Sequence, residues 1–459
     1  MANDAGGIKR TALSGWGRYP VCEAEVYRPE RLAELSELVS SAQHALLARG
    51  AGRAYGDAAL NDRESGRVID LTRLNRMLGF DPHSAILRCE AGVTIAEIID
   101  TFLPRGFFVP VTPGTKWVTV GGSIAADVHG KNHHRDSSLS AHVNAIELMI
   151  ASGERMRCSR AENPDLFWAT MGGMGLTGVI VAAEIRLIPV ESRYIDCETL
   201  RAANADAALE AIERGDEKYR YSVAWIDCAA TGAGLGRSVI NFGNFARREQ
   251  LDSERRQEPL TIAPAMRAWL PFDLPAITLN RLTIRGFNLA YFAAHKRTHR
   301  RLVDHETFFY PLDAIRSWNR MYGRRGFVQY QCVWPLGESR QGLIETVEAI
   351  ARAGRGSFLT VLKKFGPQEG MLSFPMAGYT LALDFPVDDG LFDFVDRLDA
   401  MVLKRGGRVY LAKDSCISAT SFARMYPKLS QFRQVIETVD PGRRMNSDMA
   451  RRLRIRGAT

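Results

Sequence analysis

This sequence predicts an α+β fold with mixed sheets, on three observations. Helix-period and strand-period segments alternate through roughly the first 190 residues. A hairpin pattern sits within them. Beyond that point the texture changes to helices interleaved with strands such as YSVAWIDC, GFVQYQCVW, SFLTVLKKF and GYTLALDF. At 459 residues the chain has room for two or three domains and a large core. Apolar residues at 46% and charged residues at 24% are globular proportions, which argues against disorder.

In order along the chain, residues 30–48 (ERLAELSELVSSAQHALLA) read as one amphipathic helix, with apolar positions three and four apart. The glycine-rich turn RGAGRAYGD (49–57) follows, then the strand-like runs RVIDL (67–71) and AILRCEAGVTI (85–95). AEIIDTFLPRG (96–106) is a helix with a glycine stop. FFVPVTPGT (107–115) is extended and punctuated by proline, and HVNAIELMIASGERMRC (142–158) has the alternation and Ser-Gly turn of a hairpin. NPDLFW opens a helix at 163, and TGVIVAAEIRLIPV (177–190) is a long strand. GGRVYLAKDS near the C-terminus reads as a last strand before a helical tail.

Sixty basic against fifty-two acidic side chains give a net charge of +8, spread along the chain. That suits an anionic ligand or membrane surface and not a dedicated nucleic-acid binder. The densest basic runs, HKRTHRR (295–301) and RRLRIRG (451–457), read as solvated faces or a tail, with attraction to phosphate as the other reading. Seven cysteines are odd in number and widely spaced, without a CxxC pair, as expected of thiols in a reducing compartment and not of a zinc site. The N-terminus lacks a signal core, and no run approaches the roughly 18–20 apolar residues of a membrane span. A cytoplasmic or peripheral location is expected.

Three stretches carry the chemistry. In ARGAGRAYGD (48–57), Gly50, Gly52 and Gly56 allow positive φ and close backbone approach, so that successive amides can face a pyrophosphate. The pattern is not GxGxxG after a first strand, which weakens a Rossmann reading. In PGTKWVTVGGSIAADVHGKNHH (113–134), Gly121, Gly122, Ala125, Ala126 and Gly130 make a shallow surface for a flat ring. His129 and His133 stand four apart, but Gly130 interrupts the helix a metal pair would need and no third ligand is suitably spaced, so cofactor or substrate contact is favoured over metal and over plain polar surface. The third stretch adds the glycines 172, 173, 175 and 178 ahead of a strand.

Taken in order, RGAGRAYGD, TPGTKWVTVGGSIAADVHGKNHH and DLFWATMGGMGLTGVI resemble the FAD-binding module of the vanillyl-alcohol-oxidase type flavoproteins. HGKNHH, GFVQYQ, KFGP, LSFP, AKDS and SDMARRL narrow the resemblance to the decaprenylphosphoryl-ribose 2′-oxidase family, the flavoprotein half of an epimerase that makes an arabinose donor for cell-wall arabinan. It runs from SGWGR (14–18) to SDMARRL (447–453) in one order.

The resemblance implies a two-domain PCMH-type fold: an FAD-binding domain from 1–192 and 408–459, and a substrate domain on an antiparallel sheet over 193–407. It implies FAD contacts at Ala48, Arg49, Gly50, Ala51, Gly52, Arg53, Ala54, Tyr55, Gly56, Asp57 and Ala58. Further contacts fall at Gly114, Thr119, Val120, Gly121, Gly122, Ala126, Asp127, Val128, His129, Ile180 and Tyr410. Sugar and aldonolactone oxidases of this fold often carry a histidine in GxGHS that bonds the flavin; here Arg53 stands in its place, so non-covalent FAD is expected.

Alternation places Gln329 and Gln331 on one strand face, Lys363 in line with Val361 and Phe365, and Thr380, Ala382 and Asp384 together. With Lys131 and Trp225 these form the expected substrate surface. Lys413 is the expected base or cation beside the flavin, supported by Tyr55 and His129. In mycobacterial relatives a cysteine matches Ala382 and an asparagine matches Thr380. The implied partners are a polyprenylphosphoryl-β-D-ribose, an NAD(P)H-dependent keto reductase and a membrane surface. A soluble sugar, alditol or aldonolactone oxidase is the alternative.

Overall fold

A computed structural model describes residues 9–64, 66–262, 267–295 and 298–457. The fold is α+β. Residues 1–8, and residues 296 and 297 of the basic run 295–301, lie outside the described residues.

Two sheets form the N-terminal part. One is mixed, in the order Lys9–Ser14, Val21–Tyr27, Gly66–Asp70, Ala45–Arg49. The other is antiparallel, in the order Met77–Asp81, Ile86–Glu90, Val179–Arg186, Val143–Met149, Arg155–Ser159. The hairpin read at 142–158 is its last pair, turning at Gly153 with φ 90°.

The reading of 30–48 as one helix is corrected. The helix is Leu32–Ser40, and Ala45–Arg49 is a strand paired in parallel with Gly66–Asp70. Buried Leu46 and Leu47 serve two packing faces of a strand, which a helical count of apolar positions cannot distinguish over so short a run. The glycine-rich turn therefore follows a strand. The run 85–95 is likewise shorter as a strand, because Thr94 caps the helix Ile95–Phe102 by accepting from the Glu97 amide. That helix ends in a short 3₁₀ turn at Gly106, as the sequence predicts.

The remaining chain is organised on an eight-stranded sheet: His299–Asp304, Tyr194–Ala202, Ser238–Phe245, Tyr221–Ile226, Thr360–Phe365, Gly378–Pro386, Phe327–Pro335, Arg408–Val409. Its strands alternate. Tyr330, Cys332 and Trp334 enter a core shared with the helices Ala205–Asp216, Leu336–Ala353 and Leu391–Lys404, while Gln329 and Gln331 face the other way. The last strand is only Arg408–Val409; residues 410–414 turn, with the Lys413 and Asp414 amides both donating to the Tyr410 carbonyl.

The C-terminal tail then crosses back. Leu46 donates to the Arg444 carbonyl and accepts from the Asn446 amide, beside the strand that feeds the glycine turn. The basic run 451–457 is neither a solvated face nor a tail. Arg452 pairs with Asp57 and Asp414, and buried Arg456 pairs with Asp440 and caps the Met445 carbonyl. All seven cysteines are free thiols.

Candidate active site

A cavity of about 580 Å³ lies between the glycine-rich loops and the face of the large sheet that carries Gln329, Gln331 and Lys363. Of the three glycines in 50–56, only Gly52 has positive φ, at 63°. Gly50 and Gly56 are needed for close approach instead: a Cβ at Gly50 would strike the Thr119 hydroxyl, and one at Gly56 the Asp414 carbonyl. Gly121 likewise packs its backbone on Ala91, where a Cβ would come within 2.8 Å of the alanine methyl. The amides of Ala51, Gly52, Arg53 and Ala54 have no protein acceptor among the described residues, and all four residues line the cavity. Consecutive unpaired amides beside a shallow glycine floor fit the pyrophosphate and ring of FAD.

Most of the expected FAD contacts meet here. Ala48 to Tyr55, Ala58, Gly114, Thr119, Gly121, Gly122, Ala126, Val128, His129, Ile180 and Tyr410 all line the cavity. Four do not, and each braces the cradle from behind. Gly56 is pressed on residue 414, and Asp57 takes both guanidinium arms of Arg452 at 2.7 and 2.8 Å. Val120 is core. Asp127, at φ 39°, accepts from the Ser140 amide and Gln368.

Arg53 lays its guanidinium 4.0 Å from the Trp16 ring centroid.

Three lysines converge on the sheet side. Lys413 sits 3.6 Å from the centroid of the Tyr55 ring. Burial draws its pKa down to about 7, Asp384 pulling it up and Lys363 pushing it further down. Burial alone brings Lys363 to about 8. Lys131 donates to the Phe308 carbonyl and is lowered to about 7, by burial first and by Lys363 second. Asp384 stands behind them, accepting from Gln329 at 2.6 Å and from Tyr322 at 2.9 Å; burial lifts its carboxyl to about 6. Buried ammonium groups grouped around a cavity repel one another until an anion enters.

His129 is the hinge between the two sides. Its ring packs on Phe365 and Tyr410, and burial holds its pKa well below the ordinary value. The Thr380 hydroxyl donates to the Cys332 carbonyl, so its oxygen receives one N–H of the Gln331 amide at 3.1 Å. The second N–H faces His129 Nε2 at 3.0 Å. The other ring nitrogen, Nδ1, faces Lys363 Nζ at 3.3 Å. Thr380 and Phe365 thus lie outside the cavity lining and orient the histidine, while Ala382, Gln329, Gln331 and Trp225 form the wall. Trp225 is held by its indole N–H on the Phe358 carbonyl at 2.9 Å.

His133 does not join His129 as a ligand pair. Its Nδ1 accepts from the Gly366 amide.

Sequence reasoning assigns no site role to Tyr291, Phe308 or Phe309, and it reads the runs holding His295, Arg301 and Arg452 as solvated faces or a tail, whereas His295 and Arg301 line the cavity and Arg452 braces the cradle. The aromatic run TFFYP (307–311) was a usable signal for part of the cavity wall; Arg452 lies within SDMARRL, but its pairing with Asp57 and Asp414 is hidden because those partners are distant in the chain.

Comparison with known proteins agrees with this geometry. Residues 24–159 match the FAD binding domain family. The chain is 39% identical to decaprenylphosphoryl-beta-D-ribose oxidase of Mycolicibacterium smegmatis over 451 residues, 96% of this chain and 97% of the relative. Similarity to L-gulonolactone oxidase of Mus musculus is 27% over 40% of this chain and 42% of that protein; to Delta(24)-sterol reductase of Homo sapiens it is 34% over 27% and 24%. A glycine cradle suited to FAD, opening onto buried lysines, and identity along almost the whole chain lead to one conclusion: the chain belongs to the decaprenylphosphoryl-β-D-ribose oxidase family of FAD-dependent oxidoreductases.

Proposed function

We propose that this chain oxidises the 2′-hydroxyl of a polyprenylphosphoryl-β-D-ribose to the 2-keto sugar. The observation that carries the reading is the grouping of Lys131, Lys363 and Lys413 on a cavity continuous with the glycine cradle. Removing hydride from a secondary alcohol requires the hydroxyl proton to leave as well. Lys413 as free amine takes that proton, and a pKa near neutrality makes the amine available. Bound FAD supplies the acceptor for the hydride. Lys131 and Lys363 supply the cationic charge that a phosphodiester answers, while Gln329 and Gln331 offer amides to sugar hydroxyls. Arg53, in place of a bonding histidine, leaves FAD non-covalent, so acid precipitation should release it.

The keto sugar needs a reductant to complete inversion, so an NAD(P)H-dependent reductase is the proposed partner, in the service of cell-envelope arabinan synthesis. The polyprenyl tail brings the protein to a membrane surface. Among the described residues no helix is long and apolar enough to cross one. The substrate boundary would follow the cavity, with 193–407 serving the sugar and 1–192 with 408–459 serving FAD.

The test is the visible spectrum of purified protein under anaerobic addition of a short-chain polyprenylphosphoryl-ribose. Bleaching of the oxidised-flavin band is expected. A band that ignores this substrate but bleaches with free sugars or lactones would assign a soluble oxidase instead.

A further inference from the structure

The reaction makes no use of the outer surface formed by residues 268–294. Nine large apolar side chains are prominently exposed among the described residues, and six of them fall here: Trp269, Phe272, Ile277, Leu282, Phe287 and Leu289. Ile277 and Leu282 are 78% and 80% exposed. Single exposed apolar residues are ordinary on a soluble surface; a contiguous stretch of chain carrying six of them is not.

The helix Arg281–Ala294 explains the pattern. Its inner face is anchored. Ile284 is buried, and Asn288, fully buried, donates to Asp227 at 2.8 Å and to the Ser357 carbonyl. Tyr291 on the same side packs against Trp225 with the rings tilted at 52° and lines the cavity. A helix fixed inward through a polar anchor should present polar residues outward. Instead Leu282, Gly286, Leu289, Ala290 and Ala293 face out, at the three- and four-residue spacing of one side.

The charges beside this face are mostly positive. Arg281 and Arg285 are exposed on the helix. Asp273, next to exposed Phe272, pairs with Arg18 and is also held ionised by Arg320 and Arg324. One carboxylate among several guanidinium groups leaves the rim cationic. An apolar face bordered by arginines, on a helix too short and too firmly anchored to insert across a bilayer, has the composition of an interfacial helix.

We propose that residues 268–294 dock this protein on an anionic lipid bilayer, with Leu282, Ile277 and Leu289 entering the headgroup boundary. Arg281 and Arg285 then face lipid phosphates. Because the helix also walls the cavity through Tyr291, docking sets the cavity mouth against the membrane, where a lipid-linked sugar enters without its tail crossing water. Choosing a bilayer over a protein partner as occupant rests on the lipid-linked substrate proposed above and on the cationic rim.

The partition assay uses the full chain loaded with FAD and no substrate. Flotation with phosphatidylglycerol-rich vesicles should carry the protein up, and pure phosphatidylcholine vesicles should carry much less. L282D/L289D should lower partition by at least about tenfold, and R281E/R285E should remove the preference for the anionic lipid. Flavin bleaching by a soluble short-chain substrate should be unchanged in L282D/L289D, which shows that the fold persists. Protein that stays with the soluble fraction for both vesicle types, or a double variant that floats like the parent, overturns the proposal. So does self-association of the parent that L282D/L289D abolishes while vesicles are ignored; the face is then a contact between copies. Flotation without bleaching by lipid-linked ribose would sink the reaction and leave the docking surface standing.

Discussion

Lys413 sets the pH dependence of the proposed reaction, and its neighbours give that dependence a direction. With a pKa drawn from 10.5 to about 7, about half of the population is free amine at neutrality; an unperturbed lysine would offer roughly one amine in several thousand. Anaerobic flavin reduction at saturating substrate should therefore rise about tenfold per unit below pH 7 and level off above it. K413M should lose about 10²- to 10⁴-fold in rate together with that acid limb. Two charge deletions should move the limb in opposite directions. Asp384 raises the Lys413 pKa, so D384N should shift the limb to lower pH. Lys363 lowers it, so K363M should shift the limb to higher pH. Each shift should be on the order of one unit, the size expected for removing one nearby charge at an effective dielectric of about 20. Stopped-flow absorbance at the oxidised-flavin band measures all four proteins. A flat profile in the parent, or shifts of the same sign in both variants, would refute the reasoning.

The same lysines link stability to pH. Their folded pKa values lie below the unfolded value, so from about pH 7 up to the onset of thiol ionisation at about pH 8.5 these groups bind more protons in the unfolded chain. The melting temperature of cofactor-free protein should rise with pH across that window, and K363M should flatten the rise; a falling Tm would contradict the assignment. Gly121→Val should lower both stability and flavin content, because its Cβ falls 2.8 Å from the Ala91 methyl and forces the cradle off its support, and thermal melting together with the ratio of flavin to protein absorbance reports this. Arg452→Met breaks a clamp shared by Asp57 and Asp414, and denaturant unfolding should show a loss of about 3 kcal/mol. Ala382 puts a methyl on the cavity wall, so reagents that depend on the family thiol should leave this position unlabelled in mass spectra, and A382C should gain the label.

Local chemistry made much of the protein legible. Gly121 and Gly122 in a run of small residues specify a floor that a ring can approach, whatever surrounds it. Alternation in GFVQYQCVW separates the glutamines from Tyr330, Cys332 and Trp334, because a strand has only two faces. The family motifs, spaced in order along the whole chain, carried the cofactor. By contrast, the strand at 45–49 is stabilised by its partner Gly66–Asp70, and no window of residues 30–48 contains that partner. The basic run 451–457 looks like a solvated tail until Asp57, Asp414 and Asp440 are brought to it. The family resemblance names Lys413, but its lowered pKa comes from folding, which removes it from water and sets it over Tyr55, with Asp384 and Lys363 opposing each other nearby. Residue type and spacing determined which groups this protein has. Desolvation and long-range pairing, which depend on atoms hundreds of residues apart, decided what those groups can do.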